Sequence, residues 1–300
     1  AEMAASDDEF RELLAEHIID IQKLKARAAH GIPLEFRGEV WKYLLDVAKP
    51  DKSEEATIQK EMHDRYSQFD KTHVELGRQV RGEIRRQQPR LSFRNPHNQA
   101  GNYGERVERV VLAFSNHNTY VEYYPGMSAL VGPFAFCIAD EADVYFCFQG
   151  FIERLEQTFP KADTQLQACW NAQFLRYSPQ VANFVAMFKA LLPELQDLFD
   201  QEEVEPNEWM VSWIRFLLCR ELPLPCLLRL WDTYFAAADG LSLHIYVCLA
   251  ILQFMQDDLL ELDEGVEILA ALQHLPQMEM DQIVARAQAM RAEVAARRLV

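Results

Sequence analysis

The sequence predicts an all-α protein, and three observations lead to this prediction. Glycine is scarce, with 11 residues in 300, and the abundant residues Leu, Ala, Glu, Gln and Arg favour helices over strands. From residue 105 onward, nearly every segment has apolar residues at helical spacing. Prolines and an Asp-Gly pair separate these segments, as is usual between helices.

The N-terminal part begins with a predicted helix over residues 7–29, with acidic residues at its start and basic residues at its end. Its expected apolar face consists of Phe10, Leu13, Leu14, Ile18, Ile21 and Leu24. A Gly-Ile-Pro break at 31–33 precedes a short buried helix at 40–47. Residues 52–70 are a further amphipathic segment, which we expect to continue toward Arg86.

Residues 90–105 are rich in Asn, Gly and Pro and form the predicted long loop. The segments after it are all predicted to be helical, at 105–117, 126–138, 141–157, 161–173, 178–199, 207–220, 224–236, 241–256, 262–272 and 280–297.

Charge and cysteine use restrict the classes of function. The net charge of −16 opposes binding to nucleic acid and to anionic membrane surfaces. No apolar run reaches the ~18 residues of a membrane-spanning helix and no signal-peptide pattern is present, so we expect a cytoplasmic protein without membrane insertion. The histidines and cysteines lack metal-ligand spacing. The cysteines are expected to be reduced core residues: Cys137, Cys147, Cys169, Cys219, Cys226 and Cys248.

A basic segment at 78–94 stands out in this acidic chain. It contains one acidic residue, Glu83, and six arginines, Arg78, Arg81, Arg85, Arg86, Arg90 and Arg94. The planar guanidinium group suits phosphate or carboxylate partners. Two interpretations remain open, a solvated helix face that balances nearby acids and a surface that contacts phosphate or an acidic partner. Further along, Pro125 and Gly126 predict a bend between two helices.

Four segments together resemble the TBC domain, the catalytic module of GTPase-activating proteins for Rab GTPases. They are GIPLEFRGEVWKYLL at 31–45, QVRGEIRRQQP at 79–89, YYPGM at 123–127 and RELPLPCLLRLWDTYF at 220–235. The resemblance extends over residues 28–297. It implies a two-lobed helical architecture, with residues 1–27 as a leading helix, 28–160 as the N-terminal lobe and 161–300 as the C-terminal lobe.

The family segment I-x-x-D-x-x-R fits this chain in two registers. Val80-x-x-Glu83-x-x-Arg86 keeps the acid as glutamate, whereas Ile84-x-x-Gln87-x-x-Arg90 loses it. We choose the first register, so that the resemblance implies Arg86 as the catalytic arginine finger and Glu83 as the group that steadies it. Arg90 remains the alternative.

The resemblance also implies a partner and a mechanism. A Rab-type GTPase would bring GTP and Mg²⁺, and this chain would need no cofactor or metal of its own. The family's Y-x-Q segment supplies a glutamine that orients the attacking water, but reading Tyr123 as its tyrosine puts Pro125 at that position. Proline has neither a side-chain amide nor a backbone N–H. Gln87, Gln88 and Gln149 are present, but nothing in the sequence places them at the site.

Three hypotheses therefore remain. The chain is a GTPase activator (not itself a hydrolase) weakened or altered by Pro125, a catalytically silent module that binds a Rab or another partner in vesicle trafficking, or a helical protein with only an architectural resemblance. We expect a monomer that is recruited to membranes through the GTPase.

Other residues acquire expected roles from the same motifs. Tyr123 and Gly126 would support the turn motif, as Val80 supports the arginine motif. The residues expected to contact the Rab are Arg85, Arg90, Tyr124 and Met127. Structural roles fall to Arg37, Trp41, Arg229, Trp231 and Asp232. Because an unpaired buried charge is costly, Arg37 and Asp232 are expected to be internal and paired.

Overall fold

The computed structural model describes residues 2–87, 102–118, 121, 123–158 and 179–297, and within these ranges it contains helices and no strand. The all-α prediction is confirmed. Up to residue 158 the helices are α1 (Glu2–Ala15), α2 (Ile21–Ala28), α3 (Leu34–Leu44), a 3₁₀ turn (Lys52–Glu54), α4 (Glu55–Ser67), α5 (Val74–Gln87), α6 (Tyr103–His117), α7 (Met127–Cys137) and α8 (Glu141–Thr158).

The helices after residue 178 continue in the same way. They are α9 (Pro179–Leu191), α10 (Pro193–Gln201), α11 (Pro206–Arg215), α12 (Leu224–Ala236), a 3₁₀ turn (Gly240–Leu243), α13 (His244–Phe254), α14 (Gln256–Leu260), α15 (Gly265–Gln273) and α16 (Met280–Arg297). The predicted helix at 161–173 and Cys169 lie outside the described residues, as does most of the predicted loop at 90–105.

The prediction of one continuous helix over residues 7–29 is wrong, because a new helix begins within it. The Asp20 side chain accepts hydrogen bonds from the backbone N–H groups of Gln22 and Lys23, each 3.1 Å long, and thereby caps the start of α2. In the interruption, Ile19 is buried and Ile18 is 63% exposed. The predicted apolar face is therefore wrong at Ile18.

Three other predicted helices are shorter than expected. Pro193 starts α10 after a break at Leu192, since proline is favoured in the first turn of a helix and disfavoured inside one. The helix predicted at 207–220 ends at Arg215. The segment that starts at residue 52 ends at Ser67, and α5 is a separate helix.

The first of two compact units comprises residues 1–155 and 231–238. Its core contains an aromatic cluster in which the ring centroids of Trp41 and Phe235, and those of Phe151 and Trp231, are 5.1 Å apart. Phe134 lies 5.5 Å from both Trp41 and Trp231. This packing assigns residues 231–238 to the first unit, whereas the predicted lobes placed them in the second.

The second unit comprises residues 156–230 and 239–300. Trp209 is its aromatic centre, surrounded by Phe184, Phe188, Phe199 and Trp213 at centroid distances from 5.1 to 6.2 Å. Beside it, α13 packs along α16. The prediction that the signature tryptophans Trp41 and Trp231 belong to the core is confirmed, as both are fully buried.

Four of the five described cysteines are core residues, as predicted. Among those that the structure describes, Cys137, Cys147, Cys226 and Cys248 are buried, Cys219 is half-buried, and none is in a disulfide. No helix in the described ranges combines the length and the apolar character required to cross a lipid bilayer.

Candidate functional site

Helix α5 carries four arginines of the basic segment on its exposed face, Arg78, Arg81, Arg85 and Arg86. Its inner face buries Val80, Glu83 and Ile84, and the helix packs against α6 and α7. Arg81 forms an ion pair with Glu108 of α6 and has a structural partner.

Three arginines of α5, Arg78, Arg85 and Arg86, are exposed, and none of them has an ion-pair partner among the residues that the structure describes. In this acidic chain they form a local surface of available positive charge. The sequence placed Arg90 beside them as an alternative finger, but it lies outside the described residues.

Glu83 joins α5 to the segment that precedes α7. Its side chain is nearly fully buried, and one carboxylate oxygen, Oε2, accepts three hydrogen bonds. The donors are the Tyr123 hydroxyl at 2.7 Å, the Gly126 backbone N–H at 3.1 Å and the Ser128 hydroxyl at 2.9 Å. The other oxygen accepts from Gln79 at 3.3 Å. A single carboxylate therefore fastens the arginine helix to the Pro-Gly bend.

The bend at Pro125 is a type II β-turn, which confirms the predicted bend between helices. The backbone N–H of Met127 donates to the carbonyl of Tyr124 at 3.1 Å. Pro125 occupies the second position of this turn and Gly126 the third, where a positive φ is required. Gly126 has φ 98° and ψ −5°. Pro125 is exposed at the tip of the turn.

Two residues expected to contact a partner face inward instead. Tyr124 is 6% exposed and Met127 is fully buried, because the turn directs both side chains into the core. Their burial does not support direct contact with a Rab. Of the predicted contacts in the described ranges, Arg85 is the one that is solvent-exposed.

Tyr123 links the arginine to the carboxylate electrostatically. Burial, the hydrogen bond to Glu83 and the charge of Glu83 raise the pKa of Tyr123 well above its ordinary value, while the charge of Arg86 acts in the opposite direction.

Sequence reasoning did not assign roles to Ser128, Gln79 and Gln87. The side-chain amide of Gln87 donates to the Ser128 hydroxyl oxygen at 3.5 Å. A signal was available, since Gln79, Glu83 and Gln87 recur every four residues and therefore share one face of α5.

The signature charges Arg37 and Asp232 are internal and paired, as predicted. Asp232 is fully buried, and its carboxylate accepts from Arg37 Nε and Nη2 at 3.0 Å each. Trp41 Nε1 at 2.8 Å and the Ile32 backbone N–H at 2.9 Å complete its partners. In the second unit, Arg229 pairs with Asp281.

Together these features define a class of protein, an all-α domain in which a buried carboxylate ties a turn to a helix whose exposed Arg86 has no ion-pair partner in the described ranges. The family can also be stated. The chain belongs to the Rab-GTPase-TBC domain family, whose sequence model matches residues 34–260.

Relatives with established names extend this result. Human TBC1 domain family member 22A is 27% identical over an alignment of 313 positions, which covers 91% of this chain and 56% of that protein. The GTPase-activating protein gyp1 of Schizosaccharomyces pombe is 26% identical over 305 residues, covering 89% of this chain and 56% of the relative. The chain thus spans a little over half the length of these relatives.

Two solved structures show the same fold. The Ypt/Rab-GAP domain of Gyp1p aligns with a TM-score of 0.76 at 22% identity, covering 97% of this chain and 98% of that domain. The Chlamydomonas flagellar RabGAP TBC domain aligns with a TM-score of 0.62 at 20% identity, covering 89% and 83%. The predicted TBC-like architecture is confirmed.

Proposed function

We propose that this chain is a GTPase-activating protein for a Rab-type small GTPase and that Arg86 is its arginine finger. The observation that carries this proposal is the anchoring of α5 by Glu83. The buried carboxylate binds the turn through Tyr123 and Gly126, while Arg86, three residues further on, remains exposed. A rigidly supported cation with no ion-pair partner in the described ranges is available to a phosphate in a second protein.

The proposed chemistry needs no cofactor in this chain, since GTP and Mg²⁺ belong to the partner. During hydrolysis, negative charge spreads over the oxygens of the γ-phosphoryl group. An arginine supplied in trans accelerates such reactions by about 10³- to 10⁵-fold, equivalent to about 4–7 kcal/mol of transition-state stabilisation. Arg85 extends the positive surface beside Arg86.

Pro125 supports the finer part of the proposal, an altered mechanism. The family resemblance places a water-orienting glutamine at this position, and proline has no amide with which to orient water. Either another group orients the water, or the reaction proceeds with the arginine alone.

A second candidate function is favoured by the same residue. The ring of Pro125 is exposed at the tip of the turn, where the family resemblance places a glutamine. A domain without this glutamine holds a GTP-loaded Rab but does not accelerate hydrolysis. In that case it acts as an effector or scaffold in membrane trafficking. In both cases, we propose a cytoplasmic monomer that reaches membranes through its GTPase partner.

Single-turnover GTP hydrolysis across a panel of purified Rab GTPases tests these functions. We expect stimulation by the wild-type chain, its loss in Arg86→Ala by at least 10³-fold, and its retention in Arg78→Ala. Arg78 is the matched control because it is also an exposed arginine of α5 but lies eight residues before Arg86, about 12 Å away along the helix axis.

The possible results separate the candidates. Binding of GTP-loaded Rab with no change in hydrolysis would establish the silent module. Full stimulation by Arg86→Ala would show that Arg86 is not the finger. Neither binding nor stimulation with any Rab would exclude both functions.

A further inference from the structure

We infer that Gln87 orients the attacking water, supplying from α5 the amide that Pro125 cannot supply from the turn. This inference rests on the proposed function and specifies how the activity operates. It assigns two adjacent residues of one helix end, Arg86 and Gln87, to the two tasks of the reaction.

The position of Gln87 is the first argument. Gln87 is the last residue of α5 and follows Arg86 directly. Its side-chain Nε2 lies 3.5 Å from the Ser128 hydroxyl oxygen, and the Ser128 hydroxyl in turn donates to Glu83. The amide is therefore beside the same carboxylate that anchors the Pro125 turn. Nothing in the sequence alone brought this residue to the turn.

The hydrogen-bonding capacity of Gln87 is the second argument. A glutamine amide has two N–H donors and one carbonyl acceptor. In the described part of the chain, the bond to Ser128 is the one hydrogen bond of this side chain. One N–H and the carbonyl oxygen remain available, and Gln87 is half-buried rather than enclosed. An acceptor for a water proton and a donor toward a phosphate oxygen are the two groups that orientation requires.

The other glutamines near the site are less suitable. Gln79 donates to Glu83. It lies eight residues before Gln87 in α5, which is about 12 Å along the helix axis. Gln149 donates to Glu153 on α8. Gln88 lies outside the described residues. Among the described glutamines, Gln87 alone combines proximity to Arg86 with unused hydrogen-bonding groups.

The step is an ordinary hydrolysis. The Gln87 carbonyl accepts a hydrogen bond from the water and thereby directs the water oxygen at the γ-phosphorus. A bond forms between the water oxygen and this phosphorus, while the bond from phosphorus to the oxygen of the leaving GDP breaks. GDP, inorganic phosphate and one proton are released, and Arg86 stabilises the charge on the γ-phosphoryl oxygens.

The test uses GTP-loaded Rab GTPases from the panel together with forms in which the Rab's own switch glutamine is replaced by leucine. With the wild-type chain, we expect stimulation to persist on the leucine forms, because the amide comes from this chain. Gln87→Ala should reduce stimulation about 100-fold, a typical cost of losing correct orientation. Gln87→Glu, which keeps the size and the acceptor but loses both donors, should also reduce it. Gln149→Ala is the matched control and should leave it unchanged.

Binding to Rab loaded with a non-hydrolysable GTP analogue is measured in parallel. The affinity should change less than threefold in the Gln87 variants. This result would show that the variants are folded and that the loss of stimulation is in the chemical step. Full stimulation by Gln87→Ala would overturn this inference while leaving the GTPase activator intact. Loss of stimulation on the leucine forms would overturn it too, because the partner's glutamine would then be responsible. No stimulation by the wild-type chain would instead refute the proposed function itself, and this inference with it.

Discussion

At the scale of single residues, buried polar groups in this protein are matched to their surroundings in two ways. The buried carboxylate of Glu83 is stabilised by hydrogen-bond donors, which come from Tyr123, Gly126, Ser128 and Gln79. His244 in the second unit remains neutral. It is fully buried, its Nε2–H donates to the carbonyl of Trp213 at 2.8 Å, and burial lowers its pKa to about 4.

The state of His244 predicts a loss of stability in mild acid. Its folded pKa lies below the unfolded value of 6.5. The stabilisation is therefore complete above about pH 6.5 and is lost as the pH falls toward about 4. At pH 5 the expected loss is about 2 kcal/mol, because each pKa unit corresponds to about 1.4 kcal/mol.

Urea denaturation of the wild type and of His244→Gln, at pH 7.5 and pH 5, measures this effect. The variant keeps an amide donor near Trp213 but does not titrate, so its stability should change with pH by about 2 kcal/mol less than that of the wild type. Equal changes in the two proteins would contradict the assignment.

At the scale of elements, a close approach of two helices, α3 and α7, depends on a glycine. Gly38 in α3 faces the carbonyl oxygen of Cys137 at the end of α7, and a Cβ atom at Gly38 would overlap this oxygen. The overlap is with backbone, which cannot rotate away. Since α7 begins at the Pro-Gly turn, this contact helps to hold the element on which the candidate site is built.

Two glycine substitutions with opposite expected effects test this packing. Gly38→Ala should lower the free energy of unfolding by roughly 1–3 kcal/mol, as overpacking forces the helices apart. Gly82→Ala, in α5, has no atom within 4 Å of the added carbon and should raise stability by up to about 1 kcal/mol through helix propensity. Thermal unfolding compares the two variants. A stabilised Gly38→Ala would show that the contact between α3 and α7 is looser than described.

At the scale of the whole molecule, the first unit is built from distant parts of the chain. Residues 231–238 belong to it although they follow residues 156–230 of the second unit in the chain. Asp232 binds Arg37 and Trp41, which precede it by 195 and 191 residues. Trp231 stacks on Phe151 at 5.1 Å. Four donor groups bind the one buried carboxylate of Asp232, and they fix the position of residues 231–238 in the first unit.

Removal of Asp232 should therefore destabilise the protein strongly. In Asp232→Ala, Arg37 becomes a buried cation without its carboxylate, with an expected cost of about 3–5 kcal/mol. The double variant Arg37→Ala/Asp232→Ala should lose less than the sum of the single losses, because the two side chains interact.

Asp239→Ala is the control for this prediction. Asp239 pairs with Arg291 at the surface, where the Asp239 side chain is 70% exposed and that of Arg291 is 41% exposed, so its removal should cost less than about 1 kcal/mol. Urea denaturation compares five proteins, the wild type, Arg37→Ala, Asp232→Ala, the double variant and Asp239→Ala. A cost for Asp232→Ala as small as that of Asp239→Ala would contradict the central role of the buried pair.

The sequence by itself determined the helical class, the positions of most helices and the motifs of the site, because each of these depends on residues that are close in the chain. Periodicity placed α7, α12 and α16 nearly where they lie. The Pro-Gly pair required a turn, and the type II geometry of Gly126 follows from those two residues. The resemblance of the motifs to those of the family also made Arg86, Glu83 and Tyr123 candidates before any contact was known.

Only the tertiary structure decided which of these residues meet. The three donors on one oxygen of Glu83 come from 40 to 45 residues further along the chain, and no periodicity encodes such a contact. The inward direction of Tyr124 and Met127, and the position of Gln87 beside Ser128, depend in the same way on how α5 packs against α7. Local patterns specify elements, whereas the site consists of contacts between elements, and these form only when the chain folds.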